Sequence, residues 1–170
     1  MKRAVYALFF FLLIFSGCCT KNVAWQFDSF CERTCNGFKK IRYVDANICK
    51  NLEVDFILSS EGLRMYISIL SIPLRSSPGA PQTTECKLHY GDGAEDTIQL
   101  SRLEGGQRFL VPDDAMHTVI DRLWAGDSVV IKLGRYEGIL VSDNFRAVYQ
   151  ELLNKSSCSV KVHWSSFSLR

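Results

Sequence analysis

The feature that most constrains this chain is its start, MKRAVYALFFFLLIFSGCC. It sets both the compartment in which folding occurs and the length that folds. Lys2 and Arg3 form a cationic flank, Ala4 to Phe15 is a nearly unbroken apolar run, and Ser16 and Gly17 supply small residues directly before Cys18. That is the layout of an export signal. The run is short of the ~20 apolar residues that a bilayer-spanning helix needs. Residues 1–17 are therefore expected to be removed.

The cysteine at the cleavage point adds a more specific expectation. Phe15-Ser16-Gly17-Cys18 resembles the lipobox of bacterial lipoproteins, in which the cysteine thiol takes a diacylglycerol and becomes the mature N-terminus. Ser16 and Gly17 suit a narrow peptidase site, whereas Phe15 stands where the family usually has Leu, Val or Ile. Lipidation of Cys19 instead would place Ser16 at that position and is the poorer frame. Cutting by an ordinary signal peptidase near residues 16–19 is the competing reading. The resemblance implies an envelope lipoprotein carrying diacylglycerol and palmitate. Because Cys19 is not Asp, it also implies the periplasmic side of the outer membrane, with residues 18–27 as lipidated N-terminus and short tether.

What remains is about 150 residues, enough for one domain with a real core, expected over 28–170. Loss of Lys2 and Arg3 brings Lys+Arg from 20 to 18, equal to the 18 Asp+Glu, so the net charge of +2 vanishes. No basic tract speaks for nucleic acid. Seven cysteines are many for this length, and an oxidising compartment makes disulfides the first reading. With Cys18 acylated and Cys19 beside the anchor, the candidates are Cys31, Cys35, Cys49, Cys86 and Cys158, which leaves one thiol free or paired between molecules. Zinc is the weaker reading, since the C-x3-C of Cys31 and Cys35 followed by distant Cys49 lacks finger or ribbon spacing. The same three-residue gap disfavours a thioredoxin-like pair.

Periodicity then outlines the domain. Residues 28–40 are expected to be a short helix or an irregular disulfide-held loop. Strands are expected at 53–58, 63–72, 86–90, 97–103 and 108–111, with a hairpin turn at 59–62 and a long exposed hairpin loop at 75–84. Met116, Val119, Ile120, Leu123 and Trp124 mark one amphipathic helix, capped by Asp113 and ended by Gly126. Phe145, Val148, Tyr149, Leu152 and Leu153 mark a second, capped by Ser142 or Asp143. Between them a hairpin turns over 134–138, and 158–164 is expected to be a last strand. The expected fold is α+β: a mostly antiparallel sheet or sandwich with two amphipathic helices, stabilised by disulfides. The segments RLWAGDSVVIKL and ILVSDNFRAVYQELL, within 109–153, resemble the invasion-associated locus B family in apolar spacing and in one glycine, Gly126 of the first segment. That resemblance implies a small exported β-rich fold and no catalytic residue.

Chemistry-bearing motifs are sparse. His89, His117 and His163 stand apart, with no metal-binding helical pair, nucleophile elbow, phosphate loop or dinucleotide fingerprint. Gly91 to Asp96 is an acidic turn without EF-hand spacing. Glu104, Asp113 and Asp114 are paired carboxylates only if folding gathers them. The expectation is a non-enzymatic envelope protein with no catalytic residue, cofactor or metal. It is held to the membrane by its lipid and able to cross-link to other envelope proteins. A periplasmic enzyme, an enzyme inhibitor or a thiol–disulfide protein is the alternative. A buried, paired acidic or histidine side chain would favour the enzyme.

Overall fold

A computed structural model describes residues 24–30, 38–44, 52–75 and 79–154. The described part is α+β, mostly antiparallel sheet with two helices. The strands are β1 (Ala24–Phe30), β2 (Phe38–Val44), β3 (Leu52–Ser59), β4 (Gly62–Ile69), β5 (Thr83–Tyr90), β6 (Glu95–Arg102), β7 (Arg108–Leu110), β8 (Val129–Leu133) and β9 (Tyr136–Leu140). The helices are α1 (Asp113–Ala125) and α2 (Phe145–Leu153). A 3-10 turn, Glu104–Gly106, precedes β7.

The strands form one sheet in the order β1-β2-β3-β4-β7-β6-β5-β8-β9, and every pairing is antiparallel. The β3–β4 hairpin shows how alternation sets register. Val54 and Phe56 sit opposite Ile67 and Met65, and all four are fully buried on one face. Core-facing residues of the other strands join them, including Ile41, Leu88, Leu100, Phe109 and Ile131. The sheet curls until β9 comes against β3. At that crossing Gly138 eases the approach, because a Cβ there would stand 3.2 Å from Leu52 Cδ2, a tight contact that the Leu52 side chain would have to relieve.

Both helices close the core with their apolar stripes. α1 packs on β4 and β8 and buries Met116, Val119, Ile120 and Leu123. It ends at Gly126, whose φ of 102° suits a residue without Cβ. Trp124, expected on that stripe, is exposed on the helix flank. Pro112, not Asp113, occupies the N-cap position, with φ −56° and an extended ψ of 147° and no side-chain cap; Asp113 is the first helical residue. α2 packs on β1 and β2. Its N-cap is Asn144, with a left-handed φ of 53°, rather than Ser142 or Asp143.

Asn144 is instead committed to the edge strand. Its Oδ1 accepts from Trp25 N–H at 3.1 Å and its Nδ2 donates to Trp25 O at 3.0 Å. Trp25 Nε1 donates to Val141 O at 2.8 Å, and the indole stacks edge-on against Phe145. The side-chain amide thus pairs with the open edge of β1 as a neighbouring strand would.

Several expectations change accordingly. Residues 24–27, assigned to the tether, open β1, so the sheet begins before residue 28. Residues 28–30 and 38–40 are strand, not helix or loop, because Phe27 and Ile41 alternate into the core side of a β1–β2 ladder. The 75–84 stretch is no hairpin loop. β4 and β5 are separated by β7 and β6, so the connection crosses two strands. The β8–β9 turn tightens to Gly134–Arg135. The strand expected at 158–164 lies outside the described residues, and disulfide stabilisation is not among the features described.

Candidate functional site

The sheet's second face carries what the alternation leaves over. On β2 these residues are Phe38, Lys40 and Arg42; on β3, Glu53, Asp55, Ile57 and Ser59; on β4, Arg64 and Tyr66; and on β7, Arg108. Register places Arg42 directly across from Asp55, and Asp55 across from Tyr66.

Asp55 is the organising charge. Its side chain is only 6% exposed although it faces away from the apolar core. Arg42 Nε donates to Oδ1 at 3.2 Å, Lys40 Nζ stands 3.8 Å from the same oxygen, and Arg108 approaches Oδ2 at 3.8 Å. Arg42 also bonds Glu53 Oε1 at 2.8 Å. Burial, and next the neighbouring Asp55 charge, raise the Glu53 carboxyl above its ordinary range, while Arg42 and Lys40 pull it back. Arg108 lies over the Tyr66 ring, 4.3 Å from its centroid, and its Nε is buried without a hydrogen-bond partner.

Beside this network lies a shallow cavity of about 360 Å³, walled by Phe38, Ile57, Tyr66 and Leu103, with Arg64, Arg108 and Glu61 at its polar side. Glu61 reaches Arg64 only at 3.8 Å, with both side chains well exposed. Two guanidiniums over aromatic and aliphatic walls suit an anionic group attached to an apolar body.

The residues singled out from sequence fall elsewhere. Cys18, Cys31, Cys35, Cys49, Cys158 and His163 lie outside the described residues. Cys86 is a free thiol, fully buried where β5 faces the core, and burial pushes it up to about 12. Such a thiol is inert. His89 is half-buried rather than fully solvated, with Nδ1 3.2 Å from Glu95 Oε2 and Nε2 buried without a partner. His117 is exposed on α1. In the acidic turn, Asp92 Oδ1 accepts from Ala94 N–H at 3.0 Å and Oδ2 from Arg122 at 2.6 Å, so its oxygens are already engaged. Asp113 and Asp114 are exposed in the first turn of α1. Among the described residues no three His, Cys, Asp or Glu side chains gather as a metal site, and no helix is long and apolar enough to cross a membrane.

Asp55 and its cations were not legible as a site, although one signal existed. β2 alternates Lys40 and Arg42 with core residues, β3 alternates Glu53 and Asp55, and antiparallel pairing brings opposite charges together.

No family model, curated protein or solved structure matches this chain.

Proposed function

We propose that this chain is a lipid-anchored envelope protein, exported and acylated on Cys18, whose domain acts by binding and not by catalysis. The observation that carries the anchor is Ser16-Gly17-Cys18 at the end of a short apolar run behind Lys2 and Arg3. Acyl chains at ~0.8 kcal/mol per buried CH₂ hold a neutral domain at a membrane without a basic patch. The outer face around Arg64, Tyr66 and Arg108 is the binding surface, and it takes an anion that carries an apolar portion. Because Cys86 is free, the remaining candidates Cys31, Cys35, Cys49 and Cys158 suffice for two bridges. Cys19 is then available for cross-linking to other envelope proteins. The outer membrane is the destination, since Cys19 replaces the retaining Asp.

A buried, paired carboxylate favours the second reading, an enzyme. Asp55 meets that description. Its oxygens, however, face Lys40, Arg42 and Arg108, and its side chain is only 6% exposed, so it is enclosed by cations and not open to a substrate. The acid with the raised pKa is Glu53, and it is ion-paired with Arg42 at 2.8 Å. These contacts support a structural role over general acid–base work.

Metabolic labelling with an alkyne-bearing palmitate, followed by membrane fractionation, tests the anchor. The label should enter the membrane-bound protein and disappear in Cys18→Ala; equal labelling of both proteins contradicts the assignment.

A further inference from the structure

The two arginines at the polar side of the cavity are not equally engaged. Arg108 lies between the Tyr66 ring and Asp55, a carboxylate that Lys40 and Arg42 also face. Arg64 meets a different acid. Among the described residues, the carboxylate within reach of Arg64 is Glu61 Oε2 at 3.8 Å, in a pair whose side chains are 41% and 77% exposed. An ion pair that open is worth ~0–1 kcal/mol, so an incoming anion displaces it readily.

The turn that carries Glu61 is held through its backbone. Ser60 and Glu61 link the paired residues Ser59 and Gly62, and Ser59 Oγ accepts from the Glu61 N–H at 3.2 Å. Register puts Arg64 across from Ile57, a wall of the cavity. Departure of the Glu61 carboxylate from Arg64 therefore needs a side-chain rotation and no movement of the strands. Glu61 is a built-in counter-ion at the rim.

Charge and volume say what kind of molecule fits. Over this face Lys40, Arg42, Arg64 and Arg108 stand against Glu53, Asp55 and Glu61, four cations against three carboxylates, which leaves a single positive charge. A monoanion neutralises it. A phosphate monoester, with about two charges near neutral pH, exceeds it beside Asp55 and Glu61. A carboxylate also matches a guanidinium in planar, two-bond geometry. The volume of about 360 Å³ is near the lower end of the ~300–1,000 Å³ of small-molecule sites, and the walls Phe38, Ile57, Tyr66 and Leu103 are apolar. That is room for one chain and not for a two-chain lipid. Building on the reading of this face as the surface for an amphiphilic anion, we infer that the cavity takes a single-chain alkyl carboxylate. Its head group sits on Arg64 in place of Glu61, and its chain lies along the four walls.

Photolysis of a diazirine-bearing dodecanoate with the full chain in native membranes tests this. Adducts are expected on the peptides that hold Phe38, Ile57, Tyr66 and Leu103. Arg64→Ala should raise the concentration for half-maximal labelling at least about tenfold, the loss of a charge-assisted hydrogen bond. Glu61→Gln should lower it by about two- to fivefold, the worth of an exposed pair, and misfolding cannot imitate a gain of affinity. Partition into the bilayer is common to every variant and cancels from these ratios. Glu61→Gln should also improve competition by dodecyl phosphate more than competition by dodecanoate, because the more highly charged head gains more from losing a carboxylate neighbour. Wall labelling displaced by dodecyl phosphate but not by dodecanoate, or unchanged by Glu61→Gln, overturns the carboxylate assignment alone and keeps the anion-binding surface. Adducts confined to other peptides, or wall labelling displaced as well by uncharged dodecanol as by dodecanoate, overturn both.

Discussion

Asp55 and Asp92 are the same side chain held by arginine in opposite surroundings. Asp55 sits at 6% exposure under three cations, one of which, Lys40, is itself buried. Asp92 lies in an open turn, where Arg122 bridges it to Asp127 at 2.6 and 3.5 Å. The shorter contacts belong to the exposed cluster, yet it is the one whose loss should cost less. In water, solvent and salt replace a lost partner. Under a cage of side chains nothing replaces it, and a broken pair leaves a buried charge behind.

The largest effect should follow from Asp55→Ala, which removes the buried carboxylate that Lys40, Arg42 and Arg108 all face. A loss of about 3–5 kcal/mol is expected, read as a lowered urea midpoint at unchanged slope. A loss no greater than that of an exposed pair would break the comparison.

The pH response should separate the regions by sign. Glu53 holds its proton more tightly folded than unfolded, through burial and the Asp55 charge. Its contribution is full below the ordinary carboxyl range and is lost as pH rises through its raised folded value. Asp92, held down first by the Ala94 N–H and then by Arg122, and Glu95, held down first by Lys87, behave oppositely. Their contribution is present above the ordinary range and is lost as pH falls through their lowered folded values. Glu53→Gln should therefore make stability above the carboxyl range less sensitive to rising pH. Asp92→Asn should remove part of the acid-side loss. Thermal melts between the acid and neutral limits read both.

A smaller effect is expected at the cavity. Arg108→Ala removes the most exposed of Asp55's partners and the cation over Tyr66, so stability should change less than in Asp55→Ala. Binding of an amphiphilic anion such as dodecyl phosphate, followed by calorimetry, should be lost. Retained affinity would remove this face as the binding surface. The smallest effect belongs to Arg122→Ala, whose pairs are exposed. Its shift in melting temperature should shrink further in 1 M salt, where the screening length is ~3 Å.

The same contrast explains what the sequence made legible. Strands β3, β4, β5 and β6 and both helices follow from alternation and from the i, i+3, i+4 stripe, because one face of each is apolar and the other is not. Sheet order was not legible. Pairing of β4 with β7 and of β5 with β8 depends on the crossover at 70–82, whose Pro and Ser residues mark a loop without saying how far it travels. β1 was hidden for a similar reason. Trp25 and Phe27 alternate, but the strand's edge is completed by Asn144, 119 positions away. Asp55 was missed because a charged residue in an alternating strand is expected to meet solvent. Here the long side chains of Lys40 and Arg42 on β2 and of Arg108 on β7, two strands away, take the solvent's place.

The central claim is that Cys18 is the acylated N-terminus of the mature chain. The most direct measurement is the non-reducing intact mass of the protein purified from its native envelope, beside Cys18→Ala. The wild-type mass should lack residues 1–17, be increased by acyl chains and fall short of the reduced value by two protons for each of two bridges. The acyl mass should be absent from Cys18→Ala. A wild-type chain that begins beyond Cys18, or that begins there without acyl mass, would contradict the claim.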